Sequence, residues 1–273
     1  MYEARSLAWR TDLMLRSVRS TVTELGDCVR LETPSDPDFY SGNLLLFPAA
    51  PGPGDDERWV RRFREAFAHE PRLQHVMLGW DDPRGERGVV EPFLAKGYTL
   101  DEHTVLTARD VQPPPRPLAE LDVRPLTSDA DWAAATQLHL ADEHPPGVPT
   151  ALYDAFIHRQ MARHREVVDA GRGAWFGAFL EGRMVGDLGI FVEDGLGRFQ
   201  DVGTHPEFRN RGVCGTLVHA ASRHAFTRMG ARVLVIVAVE DGPAERIYRS
   251  VGFQKTERQC MLTLRPGSPA KAT

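Results

Sequence analysis

The sequence predicts an α/β (α+β) protein in two domains, and three observations carry that prediction. Two alternating runs, Ala174–Leu180 and Arg183–Val192, flank the dipeptide Glu181-Gly182, which is the pattern of a β-hairpin. Val213, Leu217, Ala221 and Ala225 recur at four-residue spacing through Gly212–Met229, one face of a helix, and the β-branched run Ala231–Val239 follows as a strand buried on both faces. Near the middle of the 273 residues stands Pro113-Pro114-Pro115-Arg116-Pro117. Consecutive prolines lack amide donors and hold the chain extended, so this stretch reads as a spacer between domains.

The expected divisions are a first domain over 1–110, a proline-rich linker over 111–122, a second domain over 123–265, and a disordered, small and polar tail over 266–273. In the second domain, helices are expected at Asp129–Ala141 and Thr150–Ala170, and the two hairpin strands are followed by a third at Arg198–Thr204. After the helix and the β-branched strand, a short helix at Ala244–Val251 leads to a last strand, Gly252–Leu264. The first domain ends in a weaker echo of that order. A strand at Leu44–Phe47 precedes a helix at Trp59–Phe67 and a strand at Leu73–Leu78. Phe93-Leu94-Ala95-Lys96-Gly97-Tyr98 and a strand through Val105–Ala108 then match Tyr248-Arg249-Ser250-Val251-Gly252-Phe253 and Cys260–Leu264. Duplication of one domain explains the echo; chance similarity of short α/β segments is the alternative.

Bulk properties exclude some classes of partner. A net charge of −5 disfavours nucleic acid or an anionic membrane, both of which need a positive surface. The longest apolar stretch, Val233–Val239, is far too short to span a bilayer. Cys28, Cys214 and Cys260 are widely spaced and odd in number, which fits a reducing compartment. The first residues carry charge with no apolar run, so no secretory signal is read and a cytoplasmic setting is expected.

The most informative segment runs Val202-Gly203-Thr204-His205-Pro206-Glu207-Phe208-Arg209-Asn210-Arg211-Gly212-Val213-Cys214-Gly215-Thr216-Leu217. A strand ends, a proline turns the chain, and a basic, glycine-containing loop enters a helix. Amides opening a helix lack internal partners and carry a partial positive charge, so they favour an anion. Gly212 and Gly215 leave room for a phosphate to approach the backbone. Arg209 and Arg211 add formal charge. An Arg-rich loop before an ordinary helix is the plainer reading of the same residues.

This segment resembles the signature of the GNAT superfamily of N-acetyltransferases: Arg or Gln, two residues, Gly, one residue, then Gly or Ala. It falls on Arg209, Gly212 and Cys214, with Cys departing from the strict pattern. A second signature resembles the same family's Asn, two residues, Ala, three residues, Tyr, three residues, Gly-Phe; here it reads Asp241, Ala244, Tyr248, Gly252-Phe253, with Asp in place of Asn. The resemblance covers roughly Val123–Leu264. It implies tandem GNAT-like domains, each a mixed, mostly antiparallel sheet flanked by helices. It also implies acetyl-CoA as acyl donor, held by Val202, Gly203, Thr204, Arg209, Asn210, Arg211, Gly212, Val213, Cys214, Gly215, Thr216, Asp241 and Tyr248. Tyr248 matches the family's usual general acid, and a phenol of pKa ~10 is protonated at neutral pH and can donate to a departing thiolate.

An attacking amine must be neutral, so a base or water chain is expected. Asp201 and Asp187, on adjacent strands, are the candidates, and Asp201 is the nearer to the implied thioester. Glu143 and His144 stand where the family shapes its acceptor pocket, or are solvated loop residues. His139-Leu140-Ala141-Asp142-Glu143-His144 lacks the spacing of a zinc helix and runs into Pro145-Pro146, so no metal is expected. Gly195-Leu196-Gly197 reads as a turn.

The first domain is expected to be non-catalytic. Asp55-Asp56-Glu57 precede its helix where phosphate would bind, and Phe93 stands where Tyr248 does. The expected activity is direct transfer of acetyl to a small-molecule, peptide or protein amine, with no nucleic-acid or membrane partner and with a homodimer left open. The alternative is a catalytically silent acyl-CoA-binding or sensing protein of the same fold.

Overall fold

The computed structural model describes residues 2–16, 19–142 and 149–267. The elements run α1 (Leu7–Arg16), β1 (Thr21–Glu24), β2 (Val29–Glu32), β3 (Leu44–Phe47), α2 (Asp55–Ala66), β4 (Val76–Trp80), α3 (Glu91–Ala95) and β5 (Thr99–Ala108). They continue with β6 (Asp122–Pro125), α4 (Asp129–Leu140), α5 (Thr150–Asp169), β7 (Gly173–Leu180), β8 (Arg183–Glu193) and β9 (Leu196–Thr204). The last are α6 (Val213–Arg228), β10 (Val233–Val239), α7 (Pro243–Ser250) and β11 (Gln254–Leu264). The α/β class expected from the sequence is the class found, with sheets that are mostly antiparallel. The tail expected at 266–273 falls outside the described residues from 268 onward.

Two units divide the chain. The first takes the described residues of Met1–Val105, Val237–Glu240 and Thr256–Thr273; the second takes Leu106–Ile236 and Asp241–Lys255. In the first unit the strand order is β1-β2-β3-β4-β11-β5. β1 and β2 pair antiparallel, as do β2 and β3, while β3 and β4 run parallel with α2 between them. The chain's final strand completes this unit, with Met261–Leu264 antiparallel to Val76–Gly79. Strand alternation sends β3 to two cores. Leu45 and Phe47 pack with Trp59 and Phe63 of α2, where the Phe47 and Trp59 rings stack at 3.9 Å. Leu44 and Leu46 pack with Trp9 of α1.

The segment Gly79-Trp80-Asp81 anchors the chain's beginning. Trp9 lies over Gly79, where a Cβ would come within 2.3 Å of its ring, and its indole N–H donates to the Trp80 carbonyl at 2.8 Å. Asp81 is fully buried and accepts from the Tyr2 hydroxyl and from the Arg5 and Ser6 amides. α1 was not expected from the sequence because its buried face carries Thr11 and Asp12, which breaks the apolar period. Asp12 is satisfied by Gln259 at 2.8 Å and by Arg16.

In the second unit the order is β10-β9-β8-β7-β6. Glu181-Gly182 and Asp194-Gly195 form two-residue turns with both residues at positive φ, the conformation that lets strands reverse with their natural twist. β9 and β10 run parallel with α6 between them, which repeats the β3-α2-β4 pattern of the first unit. α6 buries Val213, Leu217, Val218, Ala221 and Ala225, the face its periodicity predicts. Ser128 and Asp131 cap α4 reciprocally, and Arg124 holds the Asp131 carboxylate at 2.8 and 3.0 Å.

Candidate functional site

β9 and β10 share a ladder of three pairs, Leu196–Arg198 against Val233–Val235, and β9 then runs on to Thr204. Beyond that ladder a cavity of about 730 Å³ opens, lined by Val202, Gly203 and Thr204. That volume lies within the usual range of small-molecule sites, ~300–1,000 Å³. Past β9, His205-Pro206 starts a 3-10 turn over Pro206–Phe208, and two left-handed residues, Asn210 at φ 63° and Gly212 at φ 87°, aim the chain into α6.

Gly212 is the N-cap of α6 and offers no side chain to its first-turn amides. Those amides therefore keep their capacity for an anion. Gly212, Val213, Cys214 and Gly215 line the cavity beside Arg209 and Asn210. A side chain at Gly212 would be strained, and its Cβ would come within 2.4 Å of the Arg116 carbonyl oxygen.

That carbonyl belongs to the proline-rich stretch, which sequence reasoning treated as spacer. Pro114, Pro115 and Arg116 line the cavity. The stretch is pinned at one end by the Gln112 amide donating to the Val251 carbonyl at 2.9 Å. At the other, the Leu118 amide donates to the Thr216 hydroxyl at 3.0 Å. The Thr216 hydroxyl is thereby engaged with residue 118.

Tyr248 of α7 lines the same cavity and is 4% exposed. Burial, with the nearby Cys214 adding to it, raises its phenol well above the ordinary value, so it remains a proton donor. Burial pushes the Cys214 thiol up to about 12, which keeps it out of nucleophilic chemistry. Arg209 makes an ion pair with Asp142, also on the cavity wall, at 2.6 Å.

Arg211, Thr216, Asp241 and Asp201 do not line the cavity. The Arg211 guanidinium lies 5.2 Å from the Phe208 ring centroid, and the backbone of Asp241, at φ 57°, donates to Glu245 at 2.9 Å.

Asp201 sits at a bulge. Asp187 opposes Gly203 and Gly189 opposes Gln200, so Leu188 faces two residues of β9. Asp201 takes φ 45°, a left-handed conformation that costs a non-glycine residue strain. Its Oδ2 meets His164 Nε2 and accepts from Gln160 Nε2, each at 2.6 Å. Burial would raise this carboxyl. Hydrogen bonds from His164 and Gln160, with the charges of His164 and His139, outweigh burial and hold it below the usual carboxylate range.

Asp187, fully buried, forms a second carboxylate–imidazole pair. Its Oδ2 accepts from Trp175 Nε1 at 2.8 Å and meets His139 Nε2 at 3.1 Å. A Cβ at position 203 would lie 2.8 Å from Asp187 Oδ1, so glycine there lets the carboxylate reach β9. Burial lowers His139, but Asp187, followed by Asp201 and Asp142, pushes it up to about 9. His164, Gln160 and Trp175 were not singled out from the sequence, and His139 only in a string set aside as a metal motif; the four stand on three elements, and only folding joins them. Glu143 and His144 lie outside the described residues.

Residues 133–253 match the profile of the acetyltransferase (GNAT) family. No curated protein matches the chain. Among solved structures, it is similar to a GCN5-related N-acetyltransferase from Kribbella flavida, at 20% identity and TM-score 0.66, covering 97% of each chain. A functionally unknown conserved protein from Staphylococcus epidermidis aligns at 13% identity and TM-score 0.69, covering 89% of this chain and 93% of that one. A tandem GNAT protein from the clavulanic acid biosynthesis pathway aligns at 15% identity and TM-score 0.55, covering 95% and 89%. At these identities the likeness is one of fold.

Proposed function

Residues 133–253 are an acetyltransferase domain of the GNAT family, and on that footing we propose that the chain is an acetyl-CoA-dependent N-acetyltransferase acting directly on an amine. One observation carries the reading: a single cavity joins the uncapped start of α6 and Arg209 to the buried phenol of Tyr248. The donor supplies an acetyl thioester. The α6 amides and Arg209 hold its pyrophosphate, and the backbone of Val202–Thr204 takes the pantetheine amides as an added strand would. Tyr248 gives its proton to the departing sulfur. Arg211 contributes charge from the rim, while Thr216 acts by pinning residue 118.

The proposed divisions are those of the sequence: a non-catalytic domain over 1–110, the linker over 111–122, and the acetyl-CoA-binding domain over 123–265. Among the described residues no helix is long and apolar enough to cross a membrane. A cytoplasmic setting rests on the spacing of the three cysteines, all of them free.

A silent acyl-CoA sensor is the second reading, favoured by Asp241 standing where the family pattern has Asn. Turnover separates the two. Acetyl-CoA titrated into the protein by calorimetry should bind at one site per chain, and thiol release should follow when amines are added. Tyr248→Phe should cut turnover about 10²-fold or more with little change in acetyl-CoA affinity. An unchanged rate removes Tyr248 from the chemistry; binding without any turnover leaves the sensor.

A further inference from the structure

The two arginines of the phosphate loop bring less charge to the cavity than their number implies. Arg211 stands outside it, with its guanidinium against the Phe208 ring. Arg209 lines the cavity but is paired with Asp142, which lines it too. Those two charges cancel, while the proposed donor carries both a diphosphate and a phosphomonoester. A helix start by itself offers an anion only ~0.3–1 kcal/mol.

A third arginine lies on the same wall, and it comes from the proline-rich stretch. Arg116 lines the cavity with Pro114 and Pro115. Among the described residues its side chain has no hydrogen-bond or ion-pair partner. It is therefore the one uncompensated charge among the described residues that line the cavity. Its carbonyl oxygen would lie 2.4 Å from a Cβ at Gly212, the residue that opens α6. Residue 116 thus stands beside the amides that favour an anion.

The backbone that carries this arginine is fixed. Pro115 sets its own φ, and Pro117 confines residue 116 to extended conformations. Upstream, the Gln112 amide donates to the Val251 carbonyl at 2.9 Å; downstream, the Leu118 amide donates to the Thr216 hydroxyl at 3.0 Å. Pro114 lies over α6, where a Cβ at Gly215 would come within 3.0 Å of the Pro114 Cβ. A side chain on a backbone held in this way loses less conformational freedom on meeting a ligand than one on a mobile loop.

We propose that Arg116 is a donor-binding residue that meets a phosphate at the nucleotide end of the donor, and that the proline-rich stretch is the arm that holds it at the cavity. This rests on the acetyltransferase reading above. A guanidinium matches a phosphate with two parallel N–H donors and keeps its charge at any working pH. A spacer needs neither a charge at its centre nor a close contact with α6; a ligand-binding arm needs both.

The test titrates the full chain by calorimetry with coenzyme A and with 3′-dephospho-coenzyme A, at about 0.1 M salt. Arg116→Gln should weaken coenzyme A binding about fivefold or more, as loss of a hydrogen bond to a charged group does. Arg228→Gln removes the same charge at the far end of α6, about 24 Å from Gly212. Screening at that distance should limit its effect to about twofold at most. A loss at Arg116 that persists with the 3′-dephospho form places the contact at the diphosphate; one that vanishes there places it at the phosphomonoester, and either supports the proposal. The Arg116 side chain is exposed, so the unliganded variant should melt at the wild-type temperature. A lowered melting temperature would make Arg116 a strut of the proline-rich stretch and overturn the direct contact. A loss no larger than that of Arg228→Gln, with Arg209→Glu still weakening binding, overturns the inference alone. Wild-type protein that binds neither ligand, or binding that neither Arg116→Gln nor Arg209→Glu affects, overturns it together with the donor assignment.

Discussion

The Arg209 guanidinium lies 2.6 Å from the Asp142 carboxylate, on the wall of the cavity where a pyrophosphate is proposed to bind. Both side chains are about half exposed, so the pair contributes ~0–1 kcal/mol and can be exchanged for a stronger anion. Asp142 therefore competes with the donor for Arg209. Asp142→Asn should tighten acetyl-CoA binding by up to about fivefold, as ~1 kcal/mol allows, and calorimetry measures it. Arg209→Glu should weaken binding tenfold or more. Unchanged affinity in both variants would remove Arg209 from the cradle.

Gly212 tests the backbone of the same site. Its φ of 87° disfavours any side chain, and a Cβ would also strike the Arg116 carbonyl oxygen at 2.4 Å. Gly182 has nearly the same φ, 81°, with nothing within 4 Å of its Cβ. Gly182→Ala should therefore cost only the backbone strain, about 1 kcal/mol. Gly212→Ala should cost more in a thermal melt and also weaken acetyl-CoA binding, because residues 114–116 must move off the cavity wall. Equal melting shifts with unchanged affinity would mean that the proline-rich stretch is not held against α6.

The proposed phosphate loop was legible in the sequence because its chemistry is contiguous: Arg209, Gly212, Cys214 and Gly215 fall within seven residues, and a helix start is a local event. Tyr248 was legible by its spacing from Gly252. The two carboxylate–imidazole pairs were not. His139 and His164 sit in ordinary helices, Trp175 reads as strand core, and the bulge that turns Asp201 has no residue signature. Pro113–Pro117 look the same whether they span a gap or pack on a site, so the part that Pro114–Arg116 take in the cavity wall was hidden. β1 and β2, four residues each, are too short to show a period, and Thr11 and Asp12 mask the buried face of α1.

The Asp187–His139 pair makes a prediction about pH. His139 has a folded pKa of about 9 against 6.5 for the free side chain. A group whose pKa rises on folding stabilises the protein fully below its unfolded pKa, and the contribution fades as pH climbs through the folded value. Stability should therefore fall between about pH 6.5 and 9, by roughly 1–3 kcal/mol from this pair. His139→Gln should lower stability at pH 6 and flatten the slope across that window in denaturant titrations. A slope unchanged by the substitution would show that the pair does not hold the proton.

In the first unit, α2 opens with the same kind of glycine cap as α6, but with carboxylates beside it. Gly54 caps α2 at φ 81° much as Gly212 caps α6 at 87°. The next residue, however, turns its carboxylate back: Asp55 Oδ2 accepts from the Gly52 amide at 2.8 Å, and Oδ1 pairs with Arg58 at 2.6 Å. Asp56 is paired with Lys96. A pyrophosphate there would meet two fixed carboxylates, whose repulsion opposes the ~0.3–1 kcal/mol that a helix start offers an anion. Phe93, fully buried, supplies no proton in place of a tyrosine. Acetyl-CoA titrated to saturation should therefore bind once per chain. Asp55→Ala should lower stability by about 1 kcal/mol, as loss of a side-chain hydrogen bond does, without raising that stoichiometry, because Asp56, Glu57 and Phe93 remain. Two molecules bound per wild-type chain would make the first unit a working copy, and the acidic start of α2 would then need another explanation.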